Sequence, residues 1–243
     1  MKKWVMLFVS SLMIFVLSGC LYPDEKLVKN QVAYKDQLAA AQTAVNQYQE
    51  NNGGLLPIKT RDMDTPIYQK YPIDFNKLIP KYMQEPPGTA FESGGVFTYV
   101  LIDAETNPTV KLIDLRIAEQ IRDVKIRIKA YKYPPFKDML AKGIFTIDYK
   151  KLGYEDEPYV ISPFSGKNLP LVINHEGEVF VDYAADLYEA LQKKDHSYKP
   201  GDDILPILMN GSDFVPAYAL PYTIDPKTDE PIFLEDVQEV REK

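Results

Sequence analysis

IDFNKL at residues 73–78 returns as IDYKKL at residues 147–152, with four of six positions identical. Each copy follows a helical pattern and a proline-containing loop, and each precedes a proline turn and a pair of β-forming stretches. The shared context predicts a duplicated unit of helix, loop and antiparallel hairpin, over 20–112 and again over 113–193. A repeat this long points to duplication rather than to a solenoid array. The expected fold class is α+β: two diverged helix-loop-antiparallel-hairpin units, followed by an extended proline-rich tail at 194–243.

Outward from the sextets, residues 24–52 have helical periodicity, with Leu27, Tyr34, Leu38, Ala41, Val45 and Tyr48 along one face. Asn51-Asn52-Gly53-Gly54 supplies the stop. Fewer than three clean heptads are present, so the stripe reads as core-facing rather than as a coiled-coil seam. The β-rich stretches 96–102 and 109–113 flank a turn at Thr106-Asn107-Pro108 and predict the first hairpin. Asp114 is the expected cap of a second helix, with Ile117, Ile121, Val124 and Ile128 inward and Arg116, Glu119, Arg122, Asp123, Lys125 and Arg127 solvated. The second hairpin pairs 169–173 with 178–183 across Asn174-His175-Glu176-Gly177, and 186–191 make a short helix. Prolines at 200, 206, 216, 221, 226 and 231, with a surplus of acid, predict the extended tail.

Composition removes several kinds of function. With 45% hydrophobic and 26% charged residues among 243, the chain builds a core. A formal charge of −7 disfavours nucleic acid as a partner, because phosphate binding needs a basic patch. One cysteine excludes an internal disulfide and a multi-cysteine zinc site, and two histidines exclude a His-rich metal site. No cofactor, metal or catalytic residue is therefore expected, and the chain reads as a non-enzyme. His175 lies in a turn and His196 opens the tail, so neither is placed to activate a nucleophile. Ser165-Gly166-Lys167-Asn168 lacks the leading glycine of a phosphate loop and reads as a turn. Asp62 and Asp64, Glu155-Asp156-Glu157, and Asp202-Asp203 read as solvated acidic loops. Many of the 17 tyrosines gather beside prolines. Tyr68, Tyr71, Tyr131, Tyr133, Tyr154, Tyr159, Tyr218 and Tyr222 are the candidate contact aromatics for sugar, peptide or protein. The competing reading has them pinning loops onto the core.

The first residues, MKKWVMLFVSSLMIFVLSGC, place two lysines before an apolar stretch at 4–17. At 1.5 Å per residue this stretch covers about 21 Å, short of a hydrocarbon core of about 30 Å, so it reads as a secretory leader. Leu17-Ser18-Gly19-Cys20 resembles the lipobox of bacterial lipoproteins. The resemblance implies removal of a signal peptide at 1–19 and a covalent diacylglyceryl group on Cys20, with fatty chains such as palmitate. Two chains hold durably where one does not. Losing Lys2 and Lys3 from a charge of −7 leaves −9.

The order LSGCLYP, MDTPIYQKYPIDFNKLIPKYMQEPPG, LIDLR and LPL resembles the uncharacterised lipoproteins of Bacillus-type bacteria over nearly the whole chain. This implies a Gram-positive cell surface and no assigned reaction. A second likeness, over 42–100, is to the pseudopilin pattern of long helix, Asn-Gly turn, proline-rich loop and sheet; the lipobox here replaces the prepilin-peptidase site. The expected function is that of an extracytoplasmic lipoprotein on the outer face of the cell membrane. It would hold the membrane through its lipid and an unidentified envelope protein or cell-wall ligand as a non-catalytic binder or scaffold. The alternatives are a solute-binding lipoprotein of a membrane transporter and a carboxylate-dependent cell-wall hydrolase.

Overall fold

The structure is a computed structural model that describes residues 25–193 and 196–234, without the side chains of 25–33. The expected leader, Leu17, Ser18, Gly19 and Cys20 lie outside the described residues. No helix among the described residues is long and apolar enough to cross a membrane. The fold is α+β.

Helix α1, Glu25–Asn51, buries Ala41, Ala44 and Val45 against the first core, with Tyr34, Leu38 and Tyr48 packed beside them. From Tyr34 on, the expected stripe is therefore core-facing; the Leu27 side chain lies outside the described residues. Polar residues of α1 fix its position as well: the Gln37 side-chain oxygen accepts from the Thr89 N–H at 2.9 Å, and that of Gln42 accepts from the Val110 N–H at 2.7 Å. Strands β1, Phe97–Ile102, and β2, Thr109–Asp114, form the expected antiparallel hairpin. Pro72 bridges Val100 on the other side of β1, and Ile58 bridges Ile73 beyond it, both antiparallel. Between those bridges and the hairpin lies the four-residue helix α2, Phe75–Leu78, capped by Asp74.

Helix α3, Leu115–Tyr131, starts at Asp114 as expected and buries Ile117, Ile121 and Val124. After it come β3, Phe136–Ala141, and β4, Ile144–Ile147, which no sequence pattern announces. A small hairpin of β5, Val160–Ile161, and β6, Asn168–Leu169, precedes β7, Leu171–Asn174, and β8, Val179–Val181. The antiparallel sheet runs β3-β4-β7-β8. Its order matches the first half, where the segments at 58 and 73 precede β1 and β2 in the same antiparallel succession. Each sextet occupies the same place in that succession. The Asp74 N–H donates to the Pro57 carbonyl and the Asp148 N–H to the Pro135 carbonyl, each at 2.7 Å.

Helix α4, Ala184–Lys193, follows β8. The chain beyond it corrects one expectation, because residues 196–234 are folded rather than extended. They include α5, Pro206–Met209, and the hairpin of β9, Tyr222–Ile224, with β10, Pro231–Phe233. Ile204, Leu205, Ile207, Leu208, Tyr222, Ile224 and Phe233 are all buried in the second core. Proline density misleads because the prolines stand where the ring is tolerated: Pro206 in the first turn of α5 and Pro231 at the start of β10.

Residues 213–219 form a strap across both sheets. Phe214 bridges Leu112 of β2 and Ala219 bridges Val181 of β8, both in parallel. Strand alternation sends Tyr99, Leu101 and Leu112 toward α1, and Val100 and Ile113 toward the strap. There they pack with Val215 and Ala217, and Tyr68 and Tyr218 join this cluster to the second core. Because this junction couples the two cores, urea unfolding of the whole chain is expected as a single transition. Val215→Asp, which places a charge in the packed junction, is expected to lower stability by about 3 kcal/mol or more. Two well-separated transitions in the unsubstituted protein would contradict the coupling.

Candidate functional site

Asp114 closes β2, caps α3 and is 5% exposed. One carboxylate oxygen, Oδ1, accepts from the Arg116 N–H at 3.0 Å, as a capping aspartate does. The Arg116 side chain then folds back onto it: Nε donates to Oδ1 at 2.9 Å and to Oδ2 at 3.1 Å, and Nη2 donates to Oδ2 at 2.5 Å. These bonds raise the guanidinium pKa above its ordinary value, against the opposing effect of partial burial. The side chain is nevertheless 48% exposed. A buried carboxylate thus aims a fixed, half-solvated guanidinium.

That guanidinium lies on a groove of about 350 Å³ between the first turns of α3 and strand β5. Arg116, Ile117 and Gln120 line the helix side; Pro158, Tyr159 and Ile161 line the strand side. Tyr159 and Ile161 are 52% and 60% exposed. Both walls are anchored. The Leu115 N–H donates to the Val96 carbonyl at 2.9 Å, tying the helix start to the segment entering β1. On the strand side, Ser162 is buried directly after β5, and its hydroxyl donates to Asp186 Oδ2 of α4 at 2.5 Å; Ser165 donates to Oδ1 at 2.5 Å. The Ser162 oxygen also accepts from the N–H groups of Phe164 and Ser165, at 3.0 and 3.1 Å, locking the hairpin turn. Chemically, the site offers guanidinium N–H donors, an amide and an aromatic surface.

Of the eight expected contact tyrosines, only Tyr159 reaches this groove. Tyr222 is 1% exposed and donates its hydroxyl to Asp182 at 2.7 Å, so it is a core residue and not a contact aromatic. Tyr68 and Tyr218 are half-buried and pack against both the second core and the junction. Tyr71 packs on the first core. Tyr154 lies under Arg127, whose guanidinium carbon is 3.9 Å from the ring centre. Tyr131 and Tyr133 are exposed and meet edge to face at 6.4 Å. Asp62, Asp64, Glu155, Asp156, Glu157 and Asp202 are exposed, as expected of solvated acidic loops. Asp203 is exposed as a residue, but its carboxylate accepts from the Leu205 N–H at 3.0 Å and partial burial raises its pKa. Among the described residues no group of three or more His, Cys, Asp or Glu is placed to hold a metal. His175 donates its N–H to the Gly143 carbonyl, and His196 stacks on Tyr198. What sequence reasoning misses is Arg116, which helical periodicity assigns to the solvated face; the signal was Asp-x-Arg across a helix start.

Residues 34–114 match the model of the YphF family N-terminal domain. The match begins within α1 and ends on Asp114, so this third of the chain is similar to that domain. No curated protein and no solved structure matches the chain.

Two outcomes follow from these contacts. Asp114→Ala removes both the cap and the bond to Arg116 and is expected to cost about 2 kcal/mol in urea unfolding; Asp114→Asn, itself a good cap, should cost about half as much. Burial is the main cause that pushes the phenols of Tyr183 and Tyr222 above their ordinary 10.0, with nearby aspartates adding to it. The folded protein therefore keeps protons that the unfolded chain releases above about pH 10, and stability falls as pH rises beyond that value. Tyr183→Phe should reduce that alkaline slope by about 1.4 kcal/mol per pH unit, measured by unfolding between neutral and alkaline pH.

Proposed function

We propose that the chain is a lipid-anchored protein of the outer face of the cell membrane that holds another envelope component without turning it over. The anchor rests on Leu17-Ser18-Gly19-Cys20 behind a 14-residue apolar stretch. The single structural observation that carries the binding role is the packing at the strap: Val100 and Ile113 of the first hairpin pack with Val215 and Ala217, and Tyr68 and Tyr218 pack against both this cluster and the second core. A two-lobed solute binder needs a cleft there that opens and closes on its ligand. A filled junction instead supports one stiff body with its contact surface outside, and the groove beside Asp114 is that surface.

The test of the anchor is mass spectrometry of protein recovered from the membranes of a Gram-positive host. The expected N-terminal peptide begins at residue 20 and carries a diacylglyceryl mass, which Cys20→Ala removes together with membrane retention. An intact leader with an unmodified thiol would overturn the reading.

A further inference from the structure

We propose that the groove between α3 and β5 binds a neutral pyranose unit of a glycan chain, with the Tyr159 ring as platform and the Asp114–Arg116 pair as the hydrogen-bonding wall. This rests on reading the groove as the contact surface of the anchored protein. Its size, about 350 Å³, is at the lower end of small-ligand sites, which run from about 300 to 1,000 Å³.

Charge comes first. Asp114 and Arg116 are the ionised groups lining the groove, and they neutralise each other. An anionic ligand would find no uncompensated cation there, and the body without its leader carries −9. A cationic ligand would find the carboxylate already accepting from Nε, Nη2 and a backbone N–H. The site therefore selects a neutral ligand.

Hydrogen-bond capacity is next. A guanidinium has five N–H donors in one plane. Asp114 takes those of Nε and one of Nη2. The Nη1 edge meets no acceptor among the described residues and stays available to ligand oxygens. Gln120, one helical turn on, brings an amide that both donates and accepts, which is what a hydroxyl pair on a sugar ring requires.

The opposite wall is aromatic and apolar. Tyr159, next to Pro158, presents a rigid amphipathic ring that matches the C–H face of a pyranose while its hydroxyl stays wet. A peptide would draw its affinity from a run of strand-edge hydrogen bonds, but β5 is two residues long. The groove is open, with Ile161 exposed beside Tyr159, so a unit inside a longer chain fits it as well as a free sugar.

The experiment is calorimetric titration of the full-length, detergent-solubilised protein with maltotetraose, the tetrasaccharide of N-acetylglucosamine, hexaglutamate and hexa-alanine. At least one tetrasaccharide should bind, more tightly than its monosaccharide. Tyr159→Ala, at an exposed position that leaves the melting temperature unchanged, should weaken it about tenfold. Arg116→Lys keeps the charge, loses the planar fork and should weaken it similarly. Failure of both tetrasaccharides, preference for either peptide, or indifference to Tyr159→Ala would overturn the proposal. Each of these outcomes leaves the lipid-mass test of anchoring untouched.

Discussion

The rest of the structure depends on one set of backbone hydrogen bonds, those that residues 213–219 make to two sheet edges at once. The Leu112 N–H donates to the Asp213 carbonyl at 2.9 Å, the Val215 N–H to the Leu112 carbonyl at 3.1 Å, and the Val181 N–H to the Tyr218 carbonyl at 2.9 Å. Strands β2 and β8 would otherwise end their sheets with unpaired polar groups, a costly condition for buried backbone. Leu112 is 0% exposed and Val181 is 0% exposed, so water has no access to satisfy them. The Tyr183 hydroxyl adds a side-chain tie by donating to the Ala217 carbonyl at 3.1 Å. A segment that bridges the edge strand of each sheet ties the two together, and Val215 and Ala217 make their apolar contacts along it.

Asp114 plays the corresponding part at the other end of the junction. It is the last residue of β2, the cap of α3 and the partner of Arg116, so three kinds of order meet in one carboxylate. A buried carboxylate that accepted only from backbone would leave lone pairs unsatisfied in a low-dielectric setting; Arg116 supplies the remaining donors and brings its charge. Capping and the aiming of Arg116 are thus one electrostatic solution to the burial of a single side chain.

The parts of this fold that the sequence discloses are those held by local pattern. Helix α3 and the β1–β2 hairpin are visible because Ile117, Ile121 and Val124 keep a helical spacing, while Phe97–Ile102 is a run of β-forming residues that ends before a turn. Strands β3 and β4 are not visible. β3 is an edge with four consecutive exposed residues and two register shifts, so nothing alternates along it. The chain beyond α4 is misread for a different reason: proline count says where a backbone hydrogen bond is missing, not whether the apolar residues between prolines find a core. Tyrosine is ambiguous in the same way, since Tyr222 and Tyr159 have similar proline-rich surroundings in sequence and opposite burial in space. The groove escapes sequence reasoning because its walls, at 114–120 and 158–161, are brought together only by tertiary packing.

The strap and the groove are connected through stiffness. A binder that closes around its ligand spends part of the binding free energy on rearranging its lobes, whereas a fixed groove has already met that cost in folding. Here both walls are held by bonds that lead back to the packed cores: Leu115 to Val96 on the helix side, and Ser162 to Asp186 of α4 on the strand side. Asp186 is itself 3% exposed, and Leu187, which follows it, is fully buried. Among the lining side chains Tyr159 and Ile161 are exposed, while Arg116 is bonded to Asp114 through Nε and Nη2. On the proposed reading, such a surface would draw its specificity from where its donors and its ring are held.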